Sequence, residues 1–371
     1  MKLLVTGSQG FVAKNLIATL KQNPDFTVLE YHRDTSFETL DYFVETADFV
    51  FHLAGVNRPE TEQEFMEGNY RFTSGLLDAL ARHGNKAPIL MTSSIQASLD
   101  NAYGQSKLAG EKALIDYAVQ YGVQTYIYRL PNIFGKWSKP NYNSVVATFC
   151  HNVARGLDIE VRNPESNLEL AYIDDVVQEF ISCLEDAVMR EGYFYTISHT
   201  YKTTVGEVAD LIYSFRNSRK TLIIPDMAHS FIKKLYSTYL SYLPEDEFSY
   251  PLLMHQDERG SFTEFLKNMH GGQVSINVSK PDITKGNHWH HTKNEKFLVV
   301  YGEGVIRFRD IFEEKIIEYK VSSERLDVVD IPVGYTHSIV NTGPTDLVTV
   351  MWVNEVFDSQ NPDTYYMEVD L

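Results

Sequence analysis

Cysteine is scarce in this chain, and long apolar runs are missing. Only Cys150 and Cys183 occur among 371 residues. Both lie in apolar helical patterns, so we expect buried thiols rather than a disulfide. The longest apolar runs, such as 297–301, have the length of a strand, whereas a membrane-spanning helix needs roughly 20 residues. No membrane segment is therefore expected.

Positive charge is also in deficit. The chain has 33 basic and 50 acidic residues, a formal net charge of −17. This balance disfavours nucleic acid or an anionic membrane as a partner. A phosphate-bearing ligand would have to be held by local groups such as helix N-termini, single arginines or a metal. The chain passes from Met1 directly into a strand and a glycine turn, which leaves no room for a signal peptide and predicts a cytoplasmic location.

The first part of the chain alternates strands with helical patterns, which predicts a parallel sheet covered on both faces, a Rossmann-like α/β fold. The predicted elements are strands 3–6, 27–31, 49–53, 88–92 and 123–130 and helices 11–21, 72–83 and 103–121. A stretch rich in proline and acidic residues, 241–251, breaks this rhythm. We place the boundary there, with domains at 1–243 and 252–371.

Short alternating segments follow this boundary. Residues 273–279 and 304–309 alternate apolar and polar side chains, and 297–301 and 348–353 are rich in β-branched or aromatic residues. Such segments, separated by glycine turns, predict an all-β barrel or jelly roll.

A glycine turn opens the first helix. Gly7, Gly10 and Ala13 follow the first strand at a spacing that permits a sharp turn and close approach of a pyrophosphate. The phosphates would lie on the helix N-terminus, near Phe11 and Val12. The position of the motif between strand and helix predicts dinucleotide binding.

The end of the second strand reads the adenosine ribose in such units. By spacing, Tyr31 takes the place of the acidic residue that NAD requires, and His32 and Arg33 follow. Arg33 could pair with a 2′-phosphate, so NADPH is favoured. The alternative is that Glu30 binds the ribose and Arg33 is only an exposed loop residue.

Tyr103 and Lys107 lie four residues apart on a predicted helix and therefore share one face. A neighbouring ammonium lowers the pKa of a phenol and makes it a better proton donor and acceptor. Ser93 and Ser94 end the preceding strand and place a hydroxyl beside the tyrosine at the carboxyl edge of the sheet.

With these motifs, residues 1–240 resemble the extended short-chain dehydrogenase/reductases, notably sugar-nucleotide reductases and epimerases. Supporting segments are 48–55, Asn69, 129–135 and 172–176. The resemblance implies that Ser94 orients the substrate carbonyl, Tyr103 donates the proton and Lys107 holds the nicotinamide ribose. It also implies that Asn132 contacts the sugar nucleotide and that Leu53, Ala54 and Gly55 line the coenzyme. Ile95 and Gln96 replace the acidic pair of the family's 4,6-dehydratases, so dehydratase chemistry is not expected.

A second group of residues has the spacing of metal ligands. His288 and His290 project to one face of a strand, Glu295 can return to the same point, and His337 follows on a later strand. Three imidazoles and a carboxylate suit Zn²⁺, Fe²⁺, Mn²⁺ or Ni²⁺, with zinc the first choice. The alternative is a set of histidines that bind no metal.

These segments resemble both short motifs of the cupin superfamily, and residues 257–288 resemble the dTDP-4-keto-6-deoxyhexose 3,5-epimerases. The resemblance implies that His288 is the base that removes a proton beside the ketone, and that Arg259 and Glu264 lie near the nucleotide. The tyrosine acid of that family is missing around 350–352. A metal could replace it by polarising the ketone, which leaves open whether His288 is ligand or base.

Over nearly its whole length the chain resembles the bifunctional epimerase/reductases of bacterial capsule biosynthesis. The resemblance implies a UDP-linked 4-keto-6-deoxy amino sugar as substrate, epimerised at C3 and then reduced at C4 to UDP-2-acetamido-2,6-dideoxy-L-talose. Analogy with cupins predicts a homodimer. Three alternatives stay open: a reductase with a non-catalytic β-domain, an iron dioxygenase in the β-domain, and an NAD-retaining epimerase in the first half.

Overall fold

The structure, a computed structural model, describes residues 1–185 and 192–370. The chain groups into two compact units. The first consists of Met1–Tyr213 and Ser230–Pro244, and the second of Ser214–His229 and Glu245–Leu371. The sequence pattern gave no indication that residues 214–229 group with the β-rich unit.

Strands and helices alternate through the first five strands of the chain, as the pattern predicted. The strands are β1 (Lys2–Thr6), β2 (Thr27–Tyr31), β3 (Phe49–His52), β4 (Ile89–Ser94), β5 (Thr125–Leu130), β6 (Asn132–Phe134), β7 (Asn167–Tyr172), β8 (Phe194–Tyr195) and β9 (Tyr201–Thr204). The helices are α1 (Phe11–Leu20), α2 (Phe37–Thr46), α3 (Gln63–Met66), α4 (Phe72–His83), α5 (Ala102–Tyr121), α6 (Val145–Ala154), α7 (Ile173–Ser182), α8 (Val205–Thr221) and α9 (Ser230–Leu240).

The main sheet of this unit is parallel, in the order β2-β1-β3-β4-β5-β8. Successive residues of β1 pack into hydrophobic clusters on opposite faces of the sheet. Leu3 and Val5 pack against α1 and α7, while Leu4 packs against residues of α2, α4 and α5. This alternation buries the strand on both faces, as a parallel sheet requires. The Rossmann-like prediction is confirmed. Strands β6, β7 and β9 form a smaller sheet beside it.

The second unit is built from antiparallel strands. They are β10 (Met254–Asp257), β11 (Gly260–Asn268), β12 (Gly272–Ser279), β13 (Thr284–Trp289), β14 (Glu295–Tyr301), β15 (Glu303–Asp310), β16 (Ile316–Ser322), β17 (Val328–Ile331), β18 (Tyr335–Asn341), β19 (Leu347–Val353) and β20 (Tyr365–Tyr366). They form two sheets, β10-β11-β12-β19-β14-β17 and β16-β15-β18-β13-β20. Phe297 and Val299 of the first share one core with Ile306 and Phe308 of the second. The predicted all-β domain is confirmed.

Strand β12 turns its polar side chains inward. Gln273, Ser275, Asn277 and Ser279 are all at most 4% exposed, whereas the alternating Val274, Ile276 and Val278 are half-buried. The buried polar groups bond to one another, as Gln273 does to Ser275. The unit therefore has a polar interior along this strand, which suits a site for a polar ligand better than a structural core.

Both cysteines are buried thiols that form no disulfide, as predicted. Among residues 1–185 and 192–370, no helix combines the length and apolar character that crossing a bilayer requires.

Candidate functional site

The glycine turn between β1 and α1 has the conformation that its sequence demands. Gly7 has a φ of +68°, and a Cβ there would lie 2.7 Å from the Cα of Ala54. Gly10 immediately precedes α1 and donates its N–H to the carbonyl of Gly7 at 2.8 Å. Phe11 and Val12 form the first turn of the helix. The free N–H groups of α1 therefore face the position where a pyrophosphate would bind.

The end of β2 lies beside this turn, since Ser8 donates its N–H to the carbonyl of Tyr31 at 3.1 Å. Glu30 is paired with Lys21 at 2.7 Å. His32 is half-buried, and Arg33 is exposed, with no hydrogen bond or ion pair to any residue of the described parts of the chain.

Tyr103 and Lys107, near the start of α5, lie close to Ser94 at the end of β4. Asn101 begins this helix by accepting the N–H of Gly104 at 2.8 Å. Burial raises the pKa of Tyr103, and a hydrogen bond with Ser94 opposes that rise. The Lys107 ammonium lies 5.9 Å from the centre of the Tyr103 ring. Burial lowers the pKa of Lys107 to about 8, although the charge of Glu111 works against the shift.

The neighbouring Ser93 has a different environment. Its hydroxyl donates to Glu111 at 2.5 Å. Glu111 also forms a bidentate ion pair with Arg129, with N···O distances of 2.6 and 2.9 Å. Glu111 is fully buried, so its carboxylate charge must be compensated by the hydrogen bond from Ser93 and the ion pair with Arg129. The Ser93 hydroxyl is thus committed to the core, and only Ser94 faces Tyr103.

Gly55 and Asn69 hold the loop after β3 against the same helix. A Cβ at Gly55 would lie 2.8 Å from the Lys107 ammonium and 2.9 Å from the Asn69 amide oxygen. Asn69 lies in a π-helical turn, Glu67–Arg71, and bonds the N–H and carbonyl of Val56 at 2.9 and 3.0 Å. Turns of this kind are frequent at functional sites. These contacts bring Gly55 beside Lys107, while the backbones of Leu53 and Ala54 lie against Gly7 of the glycine turn.

Asn57 belongs to this cluster although its sequence context did not single it out. The Tyr103 hydroxyl donates to the Asn57 amide oxygen at 3.2 Å. The two residues lie 46 positions apart, on a loop and a helix, so no short motif joins them. A bound ketone oxygen would compete with Asn57 for the phenol proton.

Two cations, one of them the residue that follows Asn57, flank the ring of Tyr142. The Arg58 guanidinium lies 5.7 Å from the centre of the Tyr142 ring, and the Lys139 ammonium 5.2 Å from it. Asn132 is exposed at the start of β6, and the segment that carries Lys139 and Tyr142 follows this strand. In a chain of net charge −17, such a local group of cations meets the requirement for holding phosphate.

The second unit brings all four predicted metal ligands together. His288 lies near the end of β13, His290 just beyond it, Glu295 at the start of β14 and His337 on β18. One ligand atom from each residue lies within 4.8 Å of all the others. His288 and His337 are paired across β13 and β18, with ring centres 4.5 Å apart.

The chemistry of this cluster fits a divalent cation. His290 Nε2, Glu295 Oε2 and both ring nitrogens of His337 are buried without a hydrogen-bond partner in the described residues. Burial opposes the charge of Glu295, but the adjoining imidazoles outweigh it and hold the pKa of the carboxyl well below its usual range. Burial, with the neighbouring His337, lowers the pKa of His288 to about 4. An ionised carboxylate at Glu295 and a neutral imidazole at His288 are the protonation states that metal binding needs.

Arg259 and Glu264 do not join the four ligands directly. Arg259 is exposed in the turn between β10 and β11, where it pairs with Asp257 at 2.6 Å. Glu264 lies on β11 and pairs with Lys267 at 2.8 Å. A further residue with no sequence signal contacts the cluster: the backbone carbonyl of Asp363 accepts from Nδ1 of His290, 73 positions away.

Comparison with known proteins agrees with this architecture. Residues 3–197 match the NAD dependent epimerase/dehydratase family, and residues 255–365 match the polysaccharide biosynthesis C-terminal domain. The chain is 46% identical to UDP-2-acetamido-2,6-beta-L-arabino-hexul-4-ose reductase of Pseudomonas aeruginosa, over 100% of this chain and 99% of the relative.

Solved structures give the same result. The capsular polysaccharide assembling protein CapF of Staphylococcus aureus superposes with a TM-score of 0.94 at 55% identity, over 100% of both chains. UDP-glucose 4-epimerase of Thermotoga maritima, at 20% identity and a TM-score of 0.56 over 65% of this chain and 98% of that one, shares the fold of the first unit. The chain therefore belongs to the NAD dependent epimerase/dehydratase family, whose coenzyme is a nicotinamide dinucleotide, and carries a polysaccharide biosynthesis C-terminal domain.

Proposed function

We propose that the chain is a bifunctional sugar-nucleotide enzyme with a reductase centre in residues 1–243 and an epimerase centre in a cupin-like domain, 252–371. Its substrate is a UDP-2-acetamido-2,6-dideoxy-4-hexulose, and its product is UDP-2-acetamido-2,6-dideoxy-L-talose for capsular polysaccharide. The observation that carries the proposal is the presence in one chain of a Tyr103–Lys107–Ser94 cluster and a buried four-donor cluster. The name of the Pseudomonas relative supports the substrate class.

The order of the two reactions follows from their chemistry. The C4 ketone acidifies the hydrogen at C3, so a base can remove that hydrogen as a proton and leave an enediolate, which is then reprotonated from the other face. Reduction destroys the ketone, and epimerisation must therefore precede it. NMR of the product formed in D₂O, with and without NADPH, tests both steps. We expect deuterium at C3 without the coenzyme and a C4 alcohol only with it.

In the reductase centre, Ser94 orients the ketone and Tyr103 protonates its oxygen. The chemistry that NADPH would supply when bound is the hydride for C4. Burial keeps the phenol protonated until the ketone replaces Asn57 as its acceptor. Lys107 remains close to the ring and stabilises the phenolate that proton transfer leaves behind. Arg58 and Lys139 are the cations that we assign to the diphosphate, and Asn132 contacts the sugar nucleotide.

The charge of Lys107 predicts a pH dependence for reduction. Because burial lowers its pKa to about 8, the ammonium is lost, and with it the stabilisation of the phenolate, as the pH rises through that value. We expect kcat/KM for reduction to fall above about pH 8. Lys107→Arg should move this limb to higher pH, since guanidinium stays charged. A limb that stays in place in the arginine variant would assign it to another group.

The unpaired Arg33 predicts a preference for NADPH. Arg33→Ala removes the cation that would pair with the 2′-phosphate, and a charge-assisted hydrogen bond contributes about 1.5–3 kcal/mol. We expect KM for NADPH to rise by roughly 10- to 100-fold. NADH lacks the 2′-phosphate and is the internal control, with KM unchanged. Equal KM values for NADPH in wild type and variant would assign the ribose to Glu30 instead.

In the epimerase centre, His290, Glu295 and His337 are the residues that would hold a divalent cation, with Zn²⁺ as the first choice. The chemistry that a bound cation supplies there is Lewis acidity toward the ketone oxygen. His288 is the least buried of the four, and we assign it the role of the base that removes the proton at C3. Arg259 and Glu264 are the groups assigned to the nucleotide. The Val350–Trp352 segment of β19 has no tyrosine that could act as the acid.

A further inference from the structure

The His290 ring has a fixed orientation. Its Nδ1 faces the carbonyl oxygen of Asp363, and a carbonyl can only accept, so Nδ1 carries the proton. Nε2, the other ring nitrogen, faces Glu295 Oε2 at 3.6 Å and is the nitrogen left to face a cation. Within residues 1–185 and 192–370, neither ring nitrogen of His337 has such a partner. His290 is thus the ligand whose tautomer the protein sets.

The side chain of Asp363 holds this carbonyl in place. Its carboxylate accepts the N–H groups of His291, Thr292 and Lys293 at 2.7–2.9 Å and the Thr292 hydroxyl at 3.0 Å. The Asp363 carboxylate therefore holds the loop that directly follows His290 by hydrogen bonds, while the carbonyl of Asp363 orients the His290 ring.

The residues after Asp363 lie along β13, the strand that carries His288. In this segment, Asp363–Asp370, which we call the strap, β20 pairs Tyr366 with His288 and Tyr365 with Trp289. Arg309, only 6% exposed, donates to the carbonyls of Val369 and Glu368 at 2.9 and 2.7 Å. The strap is therefore bound along its length.

We infer that Asp363 is a positioning residue of the metal centre and that the strap carries it to His290. The inference rests on the proposed metal site. Acceptors that orient a ligating histidine typically contribute roughly 10- to 100-fold to metal affinity. Without the Asp363 carboxylate, the carbonyl loses its fixed position, and the His290 ring can turn or change tautomer. Cation affinity then falls while the two sheets stay intact.

The test uses the full-length chain loaded with Zn²⁺. Transfer of the ion to a chromogenic chelator measures its affinity in wild type, Asp363→Ala, Asp363→Asn and Asp370→Ala. We expect roughly 10- to 100-fold weaker binding in the alanine variant. The asparagine variant keeps an acceptor oxygen and should lose less. Asp370→Ala removes only an exposed ion pair with Arg307 at the far end of the strap and should bind like wild type.

A second measurement needs no metal. Nitrogen-15 NMR of the metal-free protein should show His290 as the Nδ1–H tautomer in wild type and as a mixture in Asp363→Ala. Wild-type affinity and tautomer in Asp363→Ala would overturn the inference. An equal loss of affinity in Asp370→Ala would also overturn it, because the strap would then act through general stability. Wild type that binds no cation would instead refute the proposed metal site, a different result.

Discussion

Tyr103→Phe is expected to abolish the oxidation of NADPH by a 4-keto sugar nucleotide while deuterium from solvent still enters C3. The substitution removes only the hydroxyl that faces Ser94 and Asn57. A lost general acid typically lowers the rate by roughly 100- to 10,000-fold. The epimerase centre uses none of these atoms, so exchange should continue at the wild-type rate.

Coenzyme absorbance measures the first reaction, and NMR of the sugar in D₂O measures the second. Tyr121→Phe, at the other end of the same helix α5, is the matched control and should retain both activities. Loss of both activities in a folded Tyr103→Phe protein would contradict two separable centres. Epimerisation that requires an oxidised coenzyme would support the alternative of an NAD-retaining epimerase.

His290→Ala and Glu295→Ala are expected to have the opposite effect. Each removes a buried donor of the four-residue cluster, so the protein should lose its cation and exchange at C3 should fall below detection. Reduction of a ketone that has already been epimerised should continue, because Tyr103 and Lys107 are unchanged. Metal analysis of the purified variants gives a readout that does not depend on activity.

His291→Ala is the matched control, because this neighbouring histidine is exposed and lies outside the cluster. It should keep both the metal and the exchange. Exchange that survives in His290→Ala and Glu295→Ala would leave the second unit as a non-catalytic module beside a reductase. Exchange that stops under strictly anaerobic conditions would support oxygen chemistry instead.

His288 allows its two proposed roles to be separated. If it is the base, His288→Gln keeps the cation bound by the three buried donors and loses exchange at C3. If it is a ligand, the same variant loses cation and exchange together. Metal content and deuterium incorporation measured on one preparation decide between these results.

Much of the site could be predicted because its motifs are local. Gly7 and Gly10 lie within one turn, Tyr103 and Lys107 within one turn of helix, and His288 and His290 on one strand end. In each case the geometry of a single element determines which side chains share a face. The cluster of His288, His290, Glu295 and His337 forms as its sequence spacing predicted.

Other features depended on contacts between distant segments. The choice between Ser93 and Ser94 follows from the buried pair of Glu111 and Arg129, which takes the Ser93 hydroxyl. Asn57 reaches Tyr103 across 46 residues, and Asp363 reaches His290 across 73. These partners are ordinary polar residues in loops, so composition and periodicity carry no signal for them.

Strand β12 shows the same division. Its alternation of polar and apolar side chains predicted a strand, because side chains on a strand point alternately to opposite faces. That alternation does not specify which face lies inside. Packing of the two sheets turned Gln273, Ser275, Asn277 and Ser279 inward and gave the second unit its polar interior.

The sequence by itself therefore determined the two fold classes, the glycine turn, the Tyr103–Lys107 pair and the spacing of His288 and His290, because each depends on the geometry of a local segment. Tertiary structure alone decided which serine faces Tyr103, which amide contacts the phenol and which carbonyl lies against His290. Those relations arise when segments far apart in the chain pack together and each buried polar group must find a partner.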